Sequence, residues 1–284
     1  MFGGYRKYAA HYWGDTLQKL PRGLTLALKR RALEMPSLRG TRWKGNVRFA
    51  RKMARSADLS PVDRFLMNGT YLDRSQICLL CTPELRAEFD GADPARDHRR
   101  AFERVSCADF LNQMLYVDTK IFMTTLNLNY NDKMSMASSV EVRVPFLDRE
   151  FAEFVAWNVS PALKLKGGLR PTTKYIFRKA MGKLLPREIL QQPKAGFGAP
   201  VDYWLANDLK EMVNDLLSES NVARRGLFQA SAVERLTKEH ASGKNDWSMQ
   251  IWQLLTLELW MQGFVDDGKL GSQSLVPSIA LAVG

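Results

Sequence analysis

Ser139-Val140-Glu141-Val142-Arg143-Val144-Pro145-Phe146-Leu147-Asp148 is the stretch on which the reading of this chain turns. Val140, Val142 and Val144 alternate with Glu141 and Arg143, so an extended chain buries the valines on one face and projects both charges from the other. A strand over 140–144 is therefore expected, ended by Pro145, which has no amide to donate. Opposite charges this close either orient each other as a structural ion pair or fix the amine and carboxylate of a substrate.

On both sides of this stretch the patterns are helical. Asp148 is placed to cap a helix reaching about Trp157. Upstream, a helix is expected over 125–137, with Leu126, Tyr130 and Met134 four residues apart. Before it, Phe110, Leu111, Met114, Leu115, Ile121 and Phe122 form one apolar stripe. Asp118 falls on that stripe, where a carboxylate must be hydrogen-bonded or paired, so it reads as a satisfied structural residue. Further helices are expected over 17–33 behind Asp15 and over 61–72, with Ser60 as cap and Pro61 in the first turn. Two more are expected, over 174–183 and over 246–262, the last stopped by Gly263. Residues 265–284 read as a tail.

The fold class is thus mainly α, because strand candidates are few and the buried Val/Ile runs of a parallel sheet are missing. No glycine-rich phosphate loop of known spacing occurs. At 284 residues the chain can bury roughly three-quarters of its unfolded surface. The 45% apolar and 25% charged residues are ordinary globular values.

A net charge of +11 raises nucleic acid as a partner. With the basic residues read as spread along the chain and no recognition-helix pattern, a solvated basic surface or pockets for anionic small molecules is expected instead. Neither a nucleic-acid nor a membrane partner is expected. The longest apolar run, 275–283, is broken by Pro277 and far short of the ~20 residues of a membrane span. Cys78, Cys81 and Cys107 make an odd count, which points to reduced thiols and a cytoplasmic setting. Cys78-Leu79-Leu80-Cys81 lacks further ligands nearby, so a buried apolar turn is expected there and no metal site is assigned.

The decade from Ser139 to Asp148 closely resembles the signature of the synthetase domain of glutamine-dependent asparagine synthetases. Four more patches resemble that family in the same order: Met1-Phe2-Gly3-Gly4-Tyr5, Asn131-Asp132-Lys133-Met134-Ser135-Met136-Ala137, Gln192-Pro193-Lys194-Ala195-Gly196-Phe197-Gly198, and the run from Trp252 to Trp260. The resemblance implies the C-terminal helical portion of an ATP-pyrophosphatase-like (adenine-nucleotide α-hydrolase-like) α/β synthetase domain, occupying residues 1–264. Most of the parallel sheet would be missing, leaving an exposed apolar face.

The activity so implied is ATP-dependent amidation of aspartate through an acyl-adenylate, with ammonia from glutamine and help from magnesium. Departing pyrophosphate carries several charges, so the site needs fixed cations. A lysine ~4 Å from a phosphate oxygen contributes ~1 kcal/mol in water but ~4 kcal/mol where the effective dielectric is near ~20. Lys194 fits that need between Pro193 and Gly196. With Lys194, Glu141 and Lys133 are the candidate catalytic residues, Glu141 positioning the amine or accepting its proton. Tyr5, Asp132 and Arg143 are the candidate nucleotide-binding residues. The family's Ser-Gly-Gly-x-Asp-Ser loop, the carboxylates ahead of Met1 and the glutaminase cysteine have no counterpart in the sequence. The resemblance therefore implies a fragment, inactive alone, either from a truncated or late-started reading frame or with its N-terminal half on another chain. Rival readings are a relative that amidates a sugar acid or other carboxylate, a non-catalytic helical binding module, and a basic nucleic-acid-binding protein.

Overall fold

A computed structural model describes residues 1–35, 44–72, 74–167, 171–192 and 199–266. The chain divides into two compact units. The first comprises Met1–Met35, Asn46–Thr70 and Ala92–Ala195. The second gathers Tyr71–Gly91 and the chain from Gly196 onward with Pro36–Gly45. Both are helical, and the paired strands β1 (Leu165–Lys166) and β2 (Thr172–Thr173) are two residues each and antiparallel. The expectation of a mainly α chain holds.

The first unit begins with α1 (Arg6–Gln18), α2 (Arg22–Glu34), α3 (Lys44–Ser56) and α4 (Pro61–Gly69). The single helix expected over 17–33 is two, because Pro21 has no amide to continue the first and Arg22 starts the second behind it. Position 15 lies inside α1 and is not its cap. α4 starts as expected: Ser60 Oγ accepts from the Asp63 amide at 3.1 Å, with Pro61 in the first turn. α1 and α4 cross where Gly14 leaves room for the Arg64 guanidinium; a Cβ there would overlap it. Arg64 is fully buried, and its nitrogens donate to the carbonyls of His11 and Leu59 at 3.4 Å.

The core of this unit joins Tyr8, Phe65, Phe102, Leu111, Met114, Leu115 and Val117. Phe65 meets Phe102 edge-on at 5.2 Å and Phe102 stacks on Phe110 at 5.7 Å, the offset and edge arrangements that ring quadrupoles favour. Burying each such side chain contributes about 1.5–3 kcal/mol. The Phe110 stripe folds as expected: Asp109 caps the helix Phe110–Val117 through the Leu111 amide, and Leu111, Met114 and Leu115 are buried.

From Asp118 to Leu128 the same helix widens to π geometry before resuming as the α-helix Asn129–Ala137. Thr119, Thr124 and Thr125 hydroxyls each donate at 2.7 Å to the carbonyl four residues back. They compete there with the helix amides, which loosens the α ladder. Leu126, Tyr130 and Met134 share a face as their spacing predicts, yet all three are exposed.

The expected strand over 140–144 does not form. Ser139 takes a left-handed backbone (φ 56°), and the amides of Ser139 and Val140 turn back to the carbonyls of Met136 and Ser135. Residues 140–144 then run without secondary structure to a single 3-10 turn, Pro145–Leu147. A strand requires a neighbour's amides and carbonyls, and among the described residues none lies alongside. Val140, Val142, Val144, Phe154, Trp157 and Leu184 are all exposed. The next helix, Arg149–Asn158, is capped as expected by Asp148, which accepts from the Phe151 amide at 2.9 Å. The basic helix expected over 174–183 is shorter, Tyr175–Met181, preceded by Lys174 in left-handed conformation (φ 54°).

The second unit forms around the helix Ser248–Met261, whose Ile251, Leu254 and Leu255 are buried against Leu205, Val213, Val233 and Leu236. Cys81 is buried, pairs through its backbone with Phe228, and has its thiol pushed up by burial. Gly263 does not end the last helix, which continues as a π turn, Gln262–Asp266. The Arg225 side chain, itself little exposed, explains the extension. Its guanidinium donates to Glu258 at 2.8 and 2.9 Å and to Asp266 at 2.5 and 2.6 Å, tying the far end of the helix in place.

The guanidinium holds the Glu258 and Asp266 carboxyls below their ordinary range. Depressed carboxylates contribute stability above their unfolded values and lose it as pH falls through the folded ones. The second unit is thus expected to destabilise below the ordinary carboxylate range, and Glu258→Gln to flatten that acid limb. Denaturant midpoints measured across acid pH test this; an unchanged acid limb in the variant refutes it.

Candidate functional site

Two segments that the sequence separates by well over a hundred residues meet in the first unit. Phe2 packs against Phe177 at 5.2 Å and Phe151 at 6.2 Å, and Phe146 packs against the same two rings at 5.5 and 5.9 Å. This aromatic cluster draws Met1–Tyr5 to the end of the Ser139–Asp148 stretch. Gly3 takes a left-handed backbone (φ 64°), and a Cβ on Gly4 would lie 2.6 Å from Lys174 Cε. The positive φ at Gly3 favours glycine there, whereas a side chain at Gly4 would only require the flexible Lys174 side chain to shift.

Tyr5 follows the turn, partly exposed, with its ring edge-on to Phe122 at 6.0 Å. Beneath it Asp118 is satisfied, as expected, though by partners the sequence did not reveal. Lys7 Nζ donates to Asp118 Oδ1 at 2.6 Å, and the Tyr8 hydroxyl donates to the other oxygen. The Lys7 ammonium also lies 4.9–5.8 Å from the ring centres of Phe122, Phe65, Tyr8 and Tyr5. Burial, with the Asp118 charge second, pushes the Tyr8 phenol far above its ordinary range, so it remains a neutral donor. Nearby chain holds Lys164, fully buried, whose ammonium donates to Asn112 Oδ1 at 2.8 Å and is pushed down by burial. Hydrophobic periodicity carries no signal for Lys7 or Lys164, since their partners are set by the packing of separate helices.

Glu141 and Arg143 form the expected close pair, at 2.8 Å. Both are largely exposed, so the pair contributes little to stability and both groups are accessible to a ligand. Asp132 and Lys133 are exposed on the helix Asn129–Ala137 directly ahead. Lys194 lies outside the described residues.

Of these candidates the structure pairs Glu141 with Arg143, and Asp132 and Lys133 are exposed nearby in sequence. Among the described residues no group of three or more His, Cys, Asp or Glu could hold a metal ion.

Compared with known proteins, the sequence matches the asparagine synthase family over residues 1–262. It is 31% identical over 264 residues to asparagine synthetase (glutamine-hydrolyzing) 1 of Bacillus subtilis strain 168, covering 92% of this chain and 38% of that protein. Asparagine synthetase (glutamine-hydrolyzing) 3 of the same strain is 28% identical over 163 residues, covering 55% of this chain and 26% of the relative. Amidase chyE of Penicillium rubens is 34% identical over 140 residues, covering 48% of this chain and 20% of its own length. The chain thus spans well under half the length of these relatives. No solved structure matches it.

Proposed function

The chain belongs to the asparagine synthase family, and on that premise we propose that it contributes the amine- and pyrophosphate-facing wall of an ATP-dependent ligase that amidates aspartate. The supporting observation is the aromatic cluster in which Phe2 and Phe146 pack on the same two rings, Phe151 and Phe177, so that two motifs far apart in sequence meet. In this reading ATP and aspartate form an acyl-adenylate with loss of pyrophosphate, and ammonia from glutamine displaces AMP. Arg143 binds the nucleotide. Glu141 accepts hydrogen bonds from the substrate amine or takes the proton released as nitrogen attacks the acyl carbon. Lys133 and Lys194 offset the negative charge that builds on pyrophosphate, while Tyr5 and Asp132 contact the nucleotide. The exposed valines of 140–144 with Phe154 and Trp157 form the face that a sheet from the rest of such a domain would cover, in the cytoplasm.

The test is a chimera in which residues 1–264 replace the matching segment of the Bacillus subtilis relative. Pyrophosphate release that requires aspartate, with asparagine formed from ammonia, is expected. A folded chimera releasing pyrophosphate only with a different carboxylic acid would replace aspartate with that acid, a second reading favoured by the match to an amidase. No acid-dependent release from a folded chimera overturns the proposal.

A further inference from the structure

The expected even spread of positive charge does not hold. Residues 19–55 contain twelve Lys and Arg and one acidic residue, Glu34, so the rest of the chain carries 29 of each sign. The whole net charge of +11 therefore belongs to one segment, which includes α2 and α3.

α2 is unusual in its packing. It holds Leu24, Leu26, Leu28 and Leu33, yet none of its residues is buried. Leu26 is 62% exposed and Leu24 49%. Its inner side, Thr25, Leu28, Lys29 and Ala32, forms one wall of a cavity of about 600 Å³. The opposite wall is Trp13 and Leu17 of α1 with Phe49 and Met53 of α3. Lys29 crosses the cavity's edge to pair with Asp58. Arg22, Arg31 and Arg55 are exposed.

We propose that α2 and α3 dock on an anionic phospholipid surface. The arginines and lysines meet the headgroup phosphates, Leu26 and Leu33, seven residues apart on one side of α2, enter the boundary with the acyl chains, and the apolar cavity takes an acyl chain. Charge complementarity selects the anionic surface; the leucines and cavity select a lipid. Nucleic acid would satisfy the cations but leaves the exposed Leu26 and Leu33 and an apolar cavity with no role. The contact is at a surface, since no helix among the described residues is long and apolar enough to cross a membrane.

The experiment is co-sedimentation of the whole chain with vesicles of phosphatidylcholine alone, or of phosphatidylcholine mixed with phosphatidylglycerol. Binding to the mixed vesicles is expected to be at least about tenfold tighter, and to weaken as salt screens the charges. R22E/R31E/R55E removes that preference, and L26S/L33S weakens binding to the mixed vesicles at unchanged net charge. R187E/K210E/R235E changes the charge equally, at exposed positions elsewhere, and keeps the preference. Equal binding to both vesicle types overturns the proposal, as does equal loss in the two charge-reversal variants. So does DNA binding that R22E/R31E/R55E abolishes while the wild-type chain ignores both vesicles, which would mark a nucleic-acid face.

Discussion

Replacing Asp118 with alanine is expected to lower the melting temperature of the first unit by roughly 6–12 °C. The substitution leaves the Lys7 ammonium among the rings of Tyr5, Tyr8, Phe65 and Phe122, and the Tyr8 hydroxyl without its acceptor. Removing one partner of a buried ion pair costs about 3–5 kcal/mol. Lys7 is partly open to solvent, which favours the lower end, about 3 kcal/mol. Each kcal/mol moves the midpoint of a domain this size by about 2–4 °C. K7M/D118L removes both charges and should recover at least half the loss, because no ammonium is then stranded. Tyr8 still lacks an acceptor, so recovery stays incomplete. Calorimetry of the three proteins decides the matter; D118A melting with wild type would show that the pair carries no net weight.

The second large effect is on catalysis. Glu141→Gln and Arg143→Met, each introduced into the chimera, should lower kcat/KM by roughly a hundredfold or more. Groups that meet charge developing in the transition state act on that scale. The same variants should melt within about 1 kcal/mol of the parent, since the pair is exposed and screened by water. A steady-state assay beside a denaturant titration separates the roles. If stability falls and turnover does not, the ion pair is structural and the proposed reaction loses its central residues.

What was legible beforehand was local. Ser60 and Asp148 cap their helices because an N-cap bond spans three residues and needs no distant partner. The Phe110–Leu115 stripe is buried because its spacing makes one helical face apolar whatever covers it. Period-2 alternation over 140–144 misled, since it describes an extended chain and not the neighbouring strand needed to make it a sheet. Gly263 failed as a stop because Arg225 holds both Glu258 and Asp266 and carries the helix past it.

By itself the amino-acid sequence determined the helical class of this protein, the caps and apolar stripes of its helices, and the motifs that tie it to its family, all of them properties of residues near one another in the chain. The tertiary structure alone decided that Phe2 would meet the Phe146 cluster, that Lys7 would find Asp118, and that the leucines of α2 would stay exposed. Such contacts depend on which helix faces approach each other, and that is set by burial summed over the whole unit, which no local pattern encodes.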